Sequence, residues 1–300
     1  MSKLKPWLSA IRLRTLPLSV SGIIMGACFA EYNGFFNIYI LILALLTTIS
    51  LQILSNLAND YGDGMKGTDN ENRVGPERAI QSGSITPEQM FDGIKINIFI
   101  TIILSVSLIY TSFGTGNFLY AMLFFLLGGF AIYSALTYTM GDSAYGYRGL
   151  GDVFVFLFFG LVSCIGSYIL FGKQIDHVLM LPAISLGFLS VGVLNLNNMR
   201  DIDSDKLSNK ITLAVKLGKK KAKVYHMVLI FSAIVLSLVF SILYYTSLWN
   251  FLFYISYIPL VIHIRKIHVA NAPNEYDSQL KVLALTTFLF SVLLGVGYIS

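Results

Sequence analysis

Charge is what this sequence has least of. Asp, Glu, Lys and Arg make up 12% of its 300 residues, about half the share a soluble domain carries, so a soluble globular fold is excluded. The only two cysteines, Cys28 and Cys164, both fall inside apolar runs. That leaves neither a disulfide framework nor a thiolate metal site. The four histidines, His177, His226, His263 and His268, are scattered over different segments without metal-ligand spacing. Also missing are a phosphate-cradling P-loop, the glycine fingerprint of dinucleotide binding and a GxSxG nucleophile elbow. The opening "MSKLKPWLSAIRLRTLP" is positive, but no short apolar core followed by a small-residue cleavage site comes after it. The first apolar run is therefore expected to be a retained span rather than a signal peptide.

Apolar sequence is plentiful, at 55% of the chain. A span needs roughly 20 apolar residues, and nine candidates fit: about 16–33, 37–57, 94–113, 117–138, 150–171, 176–198, 224–245, 248–264 and 280–299. The expected fold class is an all-α integral membrane protein with nine transmembrane helices. Residues 1–300 form one transmembrane domain, with two longer segments outside the bilayer, about 58–93 and 199–223. With the N-terminus inside, the cytoplasmic segments hold every Lys and Arg except Lys173, as the positive-inside rule requires. That topology accounts for the +5 net charge, and no nucleic-acid partner is needed to explain it.

The polar residues collect at two helix ends. The second span ends in "SNLANDYGDGMKGTD", where Gln52, Asn56, Asn59, Asp60 and Asp63 share one helical stripe. The sixth ends in "NLNNMRDIDSDKLSNKITL", where Asn197, Asp201 and Asp205 recur every four residues with Asn198 alongside. Carboxylates at a helix C-terminus oppose the macrodipole, and clustered carboxylates repel unless a cation lies between them. Two helices of the same orientation both accept that cost in a charge-poor chain, which points to a bound divalent cation. The donors are carboxylate and amide oxygens, suited to Mg²⁺, Ca²⁺ or Mn²⁺. With Lys66, Arg73, Arg78 and Lys210 in the same loops, the two clusters form a seat for a metal–diphosphate complex. In "YTMGDSAYGYRGLGD", Arg148 and Asp152 have the separation of an (i, i+4) pair, and Tyr145 and Tyr147 read as interfacial anchors. A few aromatics lining a cavity could also face a cation.

These motifs resemble the UbiA superfamily of intramembrane prenyltransferases over essentially the whole chain. "NDYGD" supplies Asn59, Asp60 and Asp63 of that family's NDxxDxxxD motif. The third acidic position is Gly67, and an acid appears instead as Asp69 in "KGTDNENRVGPERAIQSG", which leaves its place among the ligands open. This extended form, with "RLRTLP" and "YRGLGD", is similar to the 1,4-dihydroxy-2-naphthoate polyprenyltransferases of menaquinone synthesis. The second motif maps onto Asp201, Asp205, Lys210, Thr212 and Leu213.

The resemblance implies helices around a central cavity and a plasma-membrane enzyme whose active-site loops face the cytoplasm. It also implies two Mg²⁺ between the acids. A polyprenyl diphosphate would ionise there, and an aromatic acid acceptor would attack the allylic cation. With 1,4-dihydroxy-2-naphthoate the carboxyl group leaves as CO₂, the released diphosphate takes up the accompanying proton, and the product is demethylmenaquinone. The implied catalytic metal ligands are Asp60, Asp63, Asp201 and Asp205, with Asp69 as a further candidate. Asn56, Asn59 and Asn198 would support metal or headgroup, Lys66, Arg78, Lys210 and Arg14 would meet the diphosphate, and Arg148 would meet the acceptor. Rival readings are another acceptor (4-hydroxybenzoate or homogentisate), a CDP-alcohol phosphatidyltransferase and a divalent-cation transporter. The phosphatidyltransferase would gather its acids in one segment, and the transporter would place them at mid-membrane.

Overall fold

A computed structural model describes residues 4–70 and 74–300; Lys3 and Arg73 lie outside the described residues. Among the described residues, nine helices are long and apolar enough to cross a membrane. The first span joins α1 (Leu4–Ile11) and α2 (Leu16–Tyr32) through a 3-10 turn, Leu13–Thr15. The next three are α3 (Ile38–Met65), α4 (Pro87–Phe113) and α5 (Phe118–Thr137). The fifth is composite: α6 (Gly151–Val155), a π-helical stretch Phe156–Gly166, and α7 (Ser167–Gly172). The sixth ends as α8 (Met180–Arg200), and the short α9 (Ile202–Leu207) follows at once. The last three are α10 (Leu213–Leu243), a 3-10 run Leu248–Ser256 with α11 (Tyr257–Val269), and α12 (Pro273–Ile299).

Several helices begin earlier than apolar content alone indicates, because polar residues cap them inside the loops. The third span starts at Pro87 rather than 94, since Thr86 and Gln89 close a capping box. The seventh starts at Leu213, where the Thr212 hydroxyl accepts from the Val215 amide. Gly218 kinks it with φ 74°, ψ 163°, a conformation only glycine adopts easily. The second span runs on to Met65. The two outer segments are therefore shorter than 58–93 and 199–223, and Asp60, Asp63 and Asp205 sit on helix rather than loop.

Polar groups face inward and apolar ones face lipid. Ser50, Asn97 and Thr101 form a buried hydrogen-bonded patch between α3 and α4, with Ser50 and Thr101 hydroxyls 2.7 Å apart, while Phe118, Leu119 and Leu126 of α5 are exposed. Hydrogen bonds and small residues supply the attraction that lipid cannot. Gly22 and Gly26 of α2 lie against Ser163, Cys164 and Ser167, so close that a Cβ on Gly26 would sit 2.5 Å from the Cys164 carbonyl. Gly160 backs onto Gly187 in the same way. The π stretch is thus pinned on both flanks, and its third side lines a cavity. Both cysteines are free and lie in spans.

Candidate active site

The cavity is about 330 Å³ and is walled chiefly by the first five spans, with Leu194 from the sixth, rather than by all nine. Phe124, Tyr138, Tyr145, Phe154, Phe158 and Phe159 line it, identifying the aromatics that face its interior. Asn59 and Tyr138 close the end nearest the acidic motifs. Tyr145 is part of this wall: its ring stacks on Phe154 at 4.0 Å, and its hydroxyl donates to the Ser134 carbonyl at 3.0 Å. The expectation of an interfacial anchor is not met, because the 3-10 turn Tyr145–Arg148 folds inward across the helix ends.

Three segments meet beyond that end. Asp63, buried at the last turn of α3, accepts a hydrogen bond from the Tyr147 hydroxyl (2.8 Å) and from the Lys210 ammonium (3.0 Å). Tyr147 also shares a hydrogen bond with Thr68, and Lys66 lies 4.2 Å from the centre of its ring while donating to the Gly141 carbonyl. Lys210 arrives from the second acidic segment, next to Asp205, whose carbonyl accepts from the Lys210 amide at 2.8 Å. Burial alone would lower the Lys210 pKa, but Asp63 and Asp205 outweigh it, so the ammonium is held charged well above the ordinary lysine range. Lys66 shows the opposite balance. Burial lowers its pKa, and the attraction of Asp63 and Asp142 only partly offsets this. Burial, and then Asp63, push the Tyr147 phenol up, so it remains a donor.

The remaining acids are engaged elsewhere. Asp60 accepts from the Ala79 and Ile80 amides (3.1 and 3.3 Å), drawing the loop before α4 over the end of α3. Asp69 is buried beside Arg78, 3.8 Å from its Nε. The expected single stripe on the sixth span is broken: Asp201 leaves the helix with φ −96°, ψ 9°, separating α8 from α9. Its carboxylate is gripped by both Nε and Nη2 of Arg200. Among the described residues, no three Asp, Glu, His or Cys side chains converge as a preformed metal cluster. The donor chemistry nevertheless fits Mg²⁺. The oxygens are hard, one or two carboxylates suffice when phosphate completes the shell, and the Lys210 ammonium already meets the Asp63 carboxylate and is stabilised by the charge of Asp205.

Of the other expected residues, Asn59 lines the cavity and Asn198 is buried on α8. Asn56 donates to the Ile11 carbonyl (2.8 Å) and the Thr15 hydroxyl (3.1 Å), bracing the turn that carries Arg14 against α3. Arg148 is exposed. Asp152 takes the Tyr225 hydroxyl at 3.2 Å, and no Arg148–Asp152 pair forms. Sequence reasoning missed Tyr147, Thr68 and Arg200 as members of the site. All three lie within the polar motifs of the sequence, but nothing local shows that the segments meet.

The model of the UbiA prenyltransferase family matches residues 19–296. The chain belongs to this family. It is 41% identical to 1,4-dihydroxy-2-naphthoate octaprenyltransferase of Escherichia coli over 97% of its length and 95% of the relative's. Against the enzyme of the same name from Haemophilus influenzae, identity is 39% over 98% and 96% of the two chains. Its fold matches the structure of a UbiA homologue from Archaeoglobus fulgidus bound to DMAPP and Mg²⁺, with a TM-score of 0.64 and 13% identity over 97% of this chain and 100% of that one.

Proposed function

We propose that this protein transfers a polyprenyl group from polyprenyl diphosphate to 1,4-dihydroxy-2-naphthoate with loss of CO₂, giving demethylmenaquinone in its reduced, quinol form. The observation that carries the reading is the Asp63–Lys210 contact, which joins the two acidic helix ends at the mouth of an apolar, aromatic-lined cavity. The two closely related octaprenyltransferases support the acceptor, and the homologue bound to DMAPP and Mg²⁺ supports the donor and metal. The protein resides in the cell membrane, with its N-terminus and both acidic loops on the cytoplasmic side, where its lysines and arginines collect.

Asp63, Asp205 and Asp201 are the residues that would hold Mg²⁺, two ions in all, with Asp60 and Asp69 supporting the same loops. When bound, Mg²⁺ supplies positive charge to the departing diphosphate. Lys210 and Lys66 add fixed positive charge to the same oxygens, which favours ionisation because that charge is already in place. The apolar walls receive the prenyl tail and keep water from the allylic cation, while the ring faces of the cavity aromatics stabilise it. Attack by the acceptor carbon bearing the carboxylate forms the new C–C bond. The electron pair of the ring–carboxylate bond then returns to the ring as CO₂ departs, so no protein base is required.

The test is prenyl transfer by the purified protein in lipid, with Mg²⁺, octaprenyl diphosphate and a panel of acceptors. Dihydroxynaphthoate is expected to give prenylated product with stoichiometric CO₂. Product from 4-hydroxybenzoate or homogentisate instead would replace the acceptor assignment, and no product with any acceptor would remove the enzymatic reading.

A further inference from the structure

Arg200 is the last residue of α8, and its charged side chain is only 1% exposed. Burying an ion this deeply is unfavourable unless its hydrogen bonds are satisfied, and here they are. Nε and Nη2 grip the two Asp201 oxygens at 2.8 and 2.5 Å, Nη2 also reaches Asn197 at 3.0 Å, and Nη1 meets Asp277 at 2.5 Å. Asp277 belongs to α12, the ninth span, seventy-six residues beyond Asp201. The guanidinium therefore ties the second acidic motif to a distant helix.

The motif needs such a tie, because the chain leaves helical geometry at Asp201 and the backbone alone does not aim its carboxylate. A carboxylate has about four acceptor directions. A two-pronged guanidinium uses two of them and leaves the others for a cation.

We infer that Arg200 is a positioning residue, fixing the orientation of Asp201 toward bound Mg²⁺ and anchoring it to the ninth span through Asp277. This rests on the proposed function, in which Asp201 faces the metal–diphosphate complex. Lysine would preserve the charge of Arg200 but not its planar fork, so Arg200→Lys separates orientation from charge. Asp277→Asn keeps an acceptor oxygen but weakens the anchor.

The test is the thermal unfolding midpoint of the purified protein with inorganic diphosphate, titrated with Mg²⁺. The midpoint without Mg²⁺ reports folding, and the Mg²⁺ concentration giving half of the added stabilisation reports the site. Losing an orienting partner typically costs roughly 10- to 100-fold in metal affinity. Arg200→Lys is expected to raise the half-point by that factor, and Asp277→Asn to raise it by less. Turnover in both should recover at saturating Mg²⁺, a rescue that a purely structural defect would not show. An unchanged half-point in folded Arg200→Lys overturns the inference. Should that variant not fold, an unchanged half-point in Asp277→Asn overturns it instead. Wild-type protein with no Mg²⁺-dependent stabilisation would sink the parent reading rather than this one.

Discussion

The two acidic helix ends are neutralised in opposite ways. At the end of α3, Asp63 is met from across the site by Lys210 and Tyr147, both from other segments. At the end of α8, Asp201 is met by its own neighbour Arg200, which is tied in turn to α12. One acid is therefore balanced by a cation from another segment, and the other by a cation built into its own helix end. The difference is one of attachment: the partners of Asp63 come from separate segments, while the partner of Asp201 is its own neighbour, held to the scaffold through Asp277.

Removing the charge at either end is expected to have the largest effect. Asp63→Asn and Asp205→Asn should each lower turnover by roughly three orders of magnitude, the scale of losing preorganised charge stabilisation. Product formation at saturating substrates measures this, and near-normal turnover in either variant would remove that residue from the seat. Next comes the bridge. Lys210→Met leaves Asp63 buried without its cation, which should destabilise the protein by about 3 kcal/mol and raise KM for the prenyl diphosphate. The exposed Lys219–Asp203 pair is the contrast, and Lys219→Met should leave both readouts unmoved. A smaller effect is expected from Tyr147→Phe, which keeps the ring beneath Lys66 but removes the hydroxyl from Asp63. A hydrogen bond to a charged group is worth about 1.5–3 kcal/mol, so the variant should raise KM for the prenyl diphosphate by roughly 10- to 150-fold at most, at about 1.4 kcal/mol per tenfold.

The smallest effect separates the two lysines by pH. The Lys210 pKa is raised, so its stabilising contribution is complete below the ordinary lysine value of about 10.4 and is lost only as pH climbs through the higher folded value. Lys66 is lowered, so the folded state binds fewer protons than the unfolded state between its folded value and that ordinary value. Stability therefore rises with pH across that window, while a charge useful for diphosphate binding is lost. Prenyl-diphosphate affinity should weaken at an alkaline pH where Lys210 is still charged. Lys66→Arg, whose guanidinium does not titrate there, should abolish that weakening in a binding titration.

Much of the fold was legible because lipid imposes a simple rule: spans are apolar and about 20 residues long. The nine spans and the two acidic helix ends followed from that rule. The extended helix starts at Pro87 and Leu213 did not, because capping residues sit outside the apolar windows. The π stretch Phe156–Gly166 did not either, since it depends on Gly22, Gly26 and Gly187 of other helices pressing against it. The same limit applied to the site. Asp63 and Lys210 were legible as types in the right loops, but the role of Tyr147 depends on a turn folding across α3. The break at Asp201, which makes Arg200 matter, lay hidden inside a perfect four-residue spacing.

The central claim is that both acidic ends form one metal–diphosphate seat. Electron paramagnetic resonance of Mn²⁺, substituted for Mg²⁺ in the presence of inorganic diphosphate, tests this most directly. Asp63→Asn and Asp205→Asn, one in each acidic segment, should each weaken Mn²⁺ binding at least tenfold and lose the diphosphate dependence of its spectrum. Full-strength, diphosphate-dependent binding in either variant would contradict a shared seat.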